Sequence, residues 1–262
     1  MVEIASLEDP RVAAYRLTSS PVDLIAAGLF VAEGRLVVDR LLRAPRYPIH
    51  SVLVTRPALR AIEGALASRP TPPPIFVLDQ SQMNAIVGFN IHRGCLALAE
   101  RPARETLSAA HLTAVRRLAA LEGVNNPDNV GGIFRSAAAF GVDLVVMGPG
   151  CSDPLYRKAI RTSMAATLHV PFVDAGAWPH ALDLLRDAGF ERIALTPAAD
   201  ATPLDALAGD AARVALMVGA EGDGLTGDAL AHADRRVRIT IASTVDSLNA
   251  TVAASIALHH FR

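Results

Sequence analysis

The chain has 262 residues, 51% hydrophobic and 19% charged, with a net charge of −1, a composition that suits one or two globular domains with a sizeable core. It excludes a disordered chain, and no apolar run reaches the roughly 18 residues that a membrane span needs. Acids in the opening MVEIASLEDPRVAAY stand where a secretory signal carries positive charge, so a soluble cytoplasmic protein is expected.

Strand-like and helix-like runs alternate from the start, the pattern of an α/β protein. GRLVVDRLLRA (34–44) reads as a helix with Leu36, Val37, Leu41 and Leu42 on one side. HSVLVT (50–55), IFVLD (75–79) and GCLALAE (94–100) read as short buried strands, and PALRAIEGALA (57–67) as a helix opened by Pro57. The four prolines of RPTPPP (69–74) make a stiff extended connector. RPARETLSAAHLT (101–113) is polar and aperiodic, the best linker, and divides the chain into 1–103, a linker at 104–114, and 115–262.

Further strands are expected at VRRLAAL (115–121), VDLVVM (142–147), RIALT (192–196), RVALMV (213–218) and VRITI (237–241). Helices are expected to start near Gly131 and Pro179. A last helix, SLNATVAASIALHH (247–260), carries Leu248, Val252 and Ile256, with Ala253 and Ala257, as its apolar stripe.

Cys95 and Cys151 are the only cysteines, with no CxxC and no zinc-like spacing, so neither a disulfide framework nor a metal site is expected. Residues 1–104 carry a net charge of +3 and residues 105–262 a net of −4. A solvated surface explains that asymmetry as well as nucleic-acid binding does. Lys158 is the only lysine beside 24 arginines.

Three segments join a strand to a turn or helix, where α/β proteins place ligands. LEGVNNPDNVGGIFRSAAAFG (121–141) packs Asn125 to Asn129 into a turn signal ahead of Gly131 and Gly132. In its helix, Ile133, Ala137 and Phe140 form a stripe from which Arg135 points away, about 200° around from Ile133. VALMVGAEGDGLT (214–226) runs a buried strand into three glycines around Glu221. It lacks the Lys-Ser/Thr of a P-loop and the order of a Rossmann fingerprint. In VRITIASTVDSLNATVAASIALHH (237–260), Ser247 reads on its own as an N-cap.

Together these segments resemble, in order and spacing, the SpoU-type (TrmH-like) branch of the SPOUT superfamily of RNA methyltransferases. NPDNVGGIFRSAAAFG is similar to that family's first motif, with Asn129 and Arg135 six apart; LMVGAEGDGL to the second, with Glu221 in the glutamate position; and SLNATVAASIAL to the third. CSDPLYRKAIRTSMAATLHVP (151–171) resembles the intervening D-P…R-x-S-M stretch. FVAEGRLVVDRLL (30–42) more loosely resembles the opening of an L30e-type RNA-binding domain. The sequence departs from the family at Ile239-Thr240-Ile241, where Ile-Pro-Met is common, and at Ala165-Ala166, where a glycine is common.

The resemblance implies a trefoil-knotted, parallel-sheet catalytic domain at 115–262, a topology otherwise almost absent from proteins, preceded by a smaller L30e-like α/β domain that docks RNA. It implies transfer of a methyl group from S-adenosylmethionine to a ribose 2′-OH, with no metal, in a homodimer, and more on ribosomal than on transfer RNA. By position, Thr196, Gly219, Gly222, Ile239 and Leu248 would line the cofactor pocket. Arg135, Asn129, Glu221, Ser247 and Asn249 would act at the reacting centre, with Glu221 bracing the loop or Arg135, and Arg157, Lys158 and Arg161, in one loop, would grip RNA. The family's arginine is held to activate the 2′-OH. A guanidinium with pKa above about 12 is a poor base, so Arg135 is expected to orient ribose and phosphate and stabilise developing alkoxide charge.

Two rival readings are a catalytically silent knotted RNA-binding protein and a nucleotide-dependent oxidoreductase. Retention of Arg135, Glu221 and Asn249 argues against the first, and the missing G-x-G-x-x-G against the second.

Overall fold

A computed structural model describes residues 1–91, 94–209 and 211–262. Contacts divide the chain into two compact units, one of residues 1–103 with 155–168 and one of residues 104–154 with 169–262. No helix among the described residues is long and apolar enough to cross a membrane.

The first unit contains β1 (Val2–Glu3), α1 (Pro21–Ala26), β2 (Leu29–Glu33), α2 (Arg35–Arg43), β3 (Ile49–Val54), α3 (Arg56–Ala67), β4 (Ile75–Val77), α4 (Gln80–Val87) and β5 (Cys95–Glu100). Its sheet has the order β1-β4-β3-β5-β2, with β5 antiparallel to both neighbours. The expected strands and the helices at 34–44 and 57–67 are present. In α2, however, Val38 is buried and Leu36 is 47% exposed, so the apolar face is Val37, Val38, Leu41 and Leu42. Packing against β2 and β5 turns that helix by one position relative to the pattern of its leucines.

The second unit holds α5 (Ala109–Leu112), β6 (Arg117–Leu121), α6 (Pro127–Ala139) and β7 (Leu144–Met147). With Arg157–Thr162 of the first unit counted as α7, it continues through β8 (Phe172–Asp174), α8 (Ala181–Asp187), β9 (Glu191–Leu195), β10 (Thr202–Pro203), β11 (Val214–Val218), α9 (Gly227–Ala231), β12 (Arg235–Arg238) and α10 (Ala250–His260). Seven strands form one sheet in the order β10-β12-β9-β11-β6-β7-β8, every pair parallel. The central strands are continuous runs such as VALMV, buried on both faces, as a fully covered parallel sheet requires.

Several boundaries move from their expected places, each for a local reason. Residues 104–114 are ordered on the second sheet, because Leu107 and Leu112 enter its core and the Leu107 N–H donates to the Asp174 carbonyl. The helix expected near Gly131 starts at Pro127, capped by the Asn126 side chain, which accepts from the Asp128 N–H at 2.9 Å. The helix expected near Pro179 starts at Ala181. The last strand ends at Arg238, three residues early. The last helix begins at Ala250 with Asn249, not Ser247, as N-cap. Asn249 takes the Thr251 and Val252 N–H groups. Helix α10 buries Ala250, Ala254, Ala257 and Leu258; of the expected stripe Ala257 is buried, while Val252 and Ile256 are exposed.

Candidate active site

Open parallel sheets leave a crevice beyond the carboxyl ends of their strands. In the second unit that crevice is a pocket past β9, β11 and β12. Thr196 and Pro197 continue β9, Gly219 to Gly222 and Gly224 continue β11, and Ile239 and Ile241 follow β12. Ser247, Leu248, Ala250 and Ala253 close it from the start of α10. All five residues assigned to cofactor binding, Thr196, Gly219, Gly222, Ile239 and Leu248, therefore line one pocket.

The glycine-rich turn is narrow because its sequence permits it. Ala220 and Gly224 exchange two backbone hydrogen bonds of 3.1 Å, closing residues 220–224 into a tight turn. A methyl group on Gly219 would collide with the backbone of Gly224 and Leu225. Gly222 has φ of +98°, a conformation that L side chains rarely adopt.

Beside the pocket, residues far apart in sequence share one hydrogen-bond cluster. The Asn129 amide, buried on α6, donates to Glu221 Oε2 at 2.9 Å. The Asn249 amide donates to Asn129 Oδ1 at 2.9 Å and to Glu221 Oε1 at 3.4 Å. The Thr251 hydroxyl reaches the Asn129 carbonyl and Oδ1 at 3.2 and 3.3 Å. An ionised carboxylate only accepts, so Glu221 fixes which end of each asparagine amide carries the N–H groups. Glu221 belongs to both places, since it also lines the pocket.

The cluster can form because α6 and α10 pack closely. A methyl group on Gly132 would stand 2.5 Å from Thr251 Cγ2, and the Ser136 and Ser255 hydroxyls meet at 2.6 Å.

Arg135 lies outside this cluster. It is exposed on α6 and makes no hydrogen bond or ion pair with the described residues, so Glu221 braces the two asparagines and not this arginine. Arg135 stands six positions on from Asn129 in the helix, about 9 Å along the axis and about 120° around it. Ser247 stands exposed at the pocket edge.

Arg157, Lys158 and Arg161 are in the first unit, on helix α7 and not in a loop. The Arg157 guanidinium lies 3.2 Å from the buried Glu33 carboxylate and 3.9 Å above the Phe89 ring, and Arg161 lies 3.5 Å from Glu33. Glu33 rewards this helix with charge pairing, which no local pattern in 151–171 announces. Just beyond it, Met164 and Ala165 have φ of +53° and +67°, a left-handed region that L side chains rarely adopt.

Sequence reasoning missed Thr251, whose place two residues after Asn249 was the available signal. It also missed Glu122, buried directly after β6. Among the described residues no group of three His, Cys, Asp or Glu side chains is placed to hold a metal ion.

Residues 116–259 match the SpoU rRNA Methylase family. Over 98% of its length the chain is 39% identical to a protein of Mycobacterium tuberculosis (strain H37Rv) named as a tRNA/rRNA methyltransferase, of which it covers 90%. It is 25% identical, over the whole of both chains, to the 23S rRNA (guanosine(2553)-2′-O)-methyltransferase RlmP of Bacillus subtilis. In fold it matches the AdoMet-bound rRNA methyltransferase of Sinorhizobium meliloti with a TM-score of 0.82, at 22% identity, over 100% of this chain and 97% of that one. The family match and the relatives place the chain among RNA methyltransferases, whose solved structures share its fold. The chain belongs to the SpoU rRNA methylase family.

Proposed function

We propose that this protein transfers the methyl group of S-adenosylmethionine to a ribose 2′-hydroxyl of structured RNA, ribosomal rather than transfer RNA. The observation that carries the reading is the hydrogen-bonded triangle of Asn129, Glu221 and Asn249, one residue from each motif, at the rim of a single pocket. The 2′-oxygen and the ribosomal target are supported by the full-length likeness to RlmP.

The pocket suits such a cofactor chemically. Val237, Ile239, Ile241 and Leu248 offer apolar walls for a flat base, and the glycine turn brings backbone polar groups close for the amino-acid end. Bound there, S-adenosylmethionine supplies an already activated methyl group, so the protein's task is positioning and charge stabilisation. Glu221 holds Asn129 and Asn249 in register, and Ser247 adds a hydroxyl at the pocket edge. Arg135, free of protein partners among the described residues, is available to take an RNA phosphate and to stabilise the alkoxide that forms as the hydroxyl loses its proton. A phosphate oxygen or water accepts that proton, because a guanidinium stays charged.

RNA is the partner that carries a 2′-hydroxyl. The first unit serves as an L30e-like docking domain, with Arg157, Lys158 and Arg161 on it. The protein works as a cytoplasmic homodimer with a knotted catalytic unit. Val252 and Ile256, 46% and 40% exposed on α10, form the apolar face that a second copy covers.

Mapping 2′-O-methyl sites in RNA from a deletion strain tests the reading. One site should vanish, return with the wild-type gene and stay absent with Arg135→Ala. A full set of sites in the deletion strain would overturn the assignment.

A further inference from the structure

Glu122 sits one residue past the central strand β6 and is only 5% exposed. Its N–H donates to the Val218 carbonyl at 3.0 Å, where β11 gives way to the glycine-rich turn. Its carboxylate takes hold of the other end of that turn. Oε2 accepts the Thr226 N–H at 2.9 Å, and Oε1 accepts the Thr226 hydroxyl at 2.8 Å. Oε1 also accepts the Trp178 indole N–H at 2.6 Å. The Thr226 hydroxyl in turn accepts the Ala229 N–H at 3.2 Å, capping α9. One residue thus fixes both ends of the segment 219–225.

Burying a carboxylate costs several kcal/mol unless its lone pairs are satisfied. Glu122 has no ion-pair partner among the described residues, and an apolar side chain would fill the site at no such cost. What the acid provides is three directed hydrogen bonds, two of them to the residue that ends the pocket turn. Neutral amides of similar size cannot repeat this, because one of their two terminal atoms donates.

We propose that Glu122 is a positioning residue for the pocket turn, holding residues 219–225 in the shape that binds cofactor, and that Trp178 is tied into the same carboxylate and senses occupancy of the turn. The proposal rests on the reading of this pocket as the S-adenosylmethionine site. Trp178 is the only tryptophan in the chain, so tryptophan emission reports the surroundings of this one side chain.

The test uses the full chain, calorimetry with S-adenosylmethionine, steady-state kinetics and tryptophan emission. Glu122→Gln is expected to weaken cofactor binding roughly tenfold or more, while kcat at saturating cofactor changes by less than roughly threefold. Wild-type emission should shift at saturation, and that of Glu122→Gln should not. Thr226→Val should weaken binding as well, and Thr226→Ser, which keeps both bonds to Glu122, should restore it. That pair decides the matter if Glu122→Gln does not fold, and equal affinities for Val and Ser would overturn the proposal. Unchanged affinity in folded Glu122→Gln would overturn the role of Glu122 alone. If the wild type binds no cofactor, the reading of the pocket falls, and this proposal with it.

Discussion

Asn129 and Asn249, 120 residues apart in sequence, are joined by a 2.9 Å hydrogen bond whose direction is set by the Glu221 carboxylate that both amides also meet. Each of the two also has a separate structural task, Asn129 as a buried residue of α6 and Asn249 as the N-cap of α10.

This arrangement predicts coupling. Asn129→Ala removes the buried member of this polar cluster and should cost about 1–3 kcal/mol. Asn249→Ala loses the cap, at about 1 kcal/mol, together with the amide bonds. Because the two share a bond, the double variant should depart from additivity by more than about 0.5 kcal/mol. Chemical denaturation of the four proteins measures the cycle, and strict additivity would mean the amides act independently.

Arg135 should behave in the opposite way. Exposed and without protein partners among the described residues, it can be changed to Ala with an effect on stability within about 0.5 kcal/mol, while RNA methylation falls by about a hundredfold or more. Arg135→Lys should rescue poorly, because an ammonium lacks the planar fork that meets phosphate in two bonds. Unfolding curves set beside turnover on RNA separate these effects.

Gly219→Ala should disable the pocket. Its methyl group has no room against Gly224 and Leu225, so the turn must open. The expected result is loss of measurable cofactor binding by calorimetry, with a melting curve lowered by the equivalent of about 1–3 kcal/mol. An alanine variant that binds cofactor like the wild type would show that the turn tolerates reshaping.

The two thiols should be unreactive in the native state. Burial pushes Cys151 up to about 11 and Cys95 up to about 12. A raised thiol pKa keeps the neutral form, so at pH 8 only about one Cys151 in a thousand is thiolate, against roughly a quarter for a free cysteine. Iodoacetamide labelling should therefore be slow at pH 8, rise as pH climbs towards 11, and become fast on unfolding. Mass spectrometry after timed quenching checks this.

The strand cores and the three motif segments were legible because each carries local information. VALMV is a buried run, NPDN a turn signal, and GAEGDG a chain that must bend sharply. What escaped was set by distant partners. Leu36 and Val38 exchange places in α2 because the sheet beneath chooses the face. Asn249 displaces Ser247 as cap because its other amide end is claimed by Asn129 and Glu221. Helix α7 reads in the sequence as a basic loop, because the residue that anchors it, Glu33, lies more than 120 residues earlier. Arg135 could be placed on the solvent side from helical spacing alone, but its separation from Glu221 could not.

The grouping of residues 155–168 with the first unit bears on how this protein can be dissected. A gene cut after codon 103 would yield a fragment whose β2 lacks its neighbouring helix and whose Glu33 loses both of its arginine partners. Such a fragment should be expressed poorly or collect in inclusion bodies. A first-unit piece worth studying by itself would have to borrow this later stretch, joined to it by a designed connection.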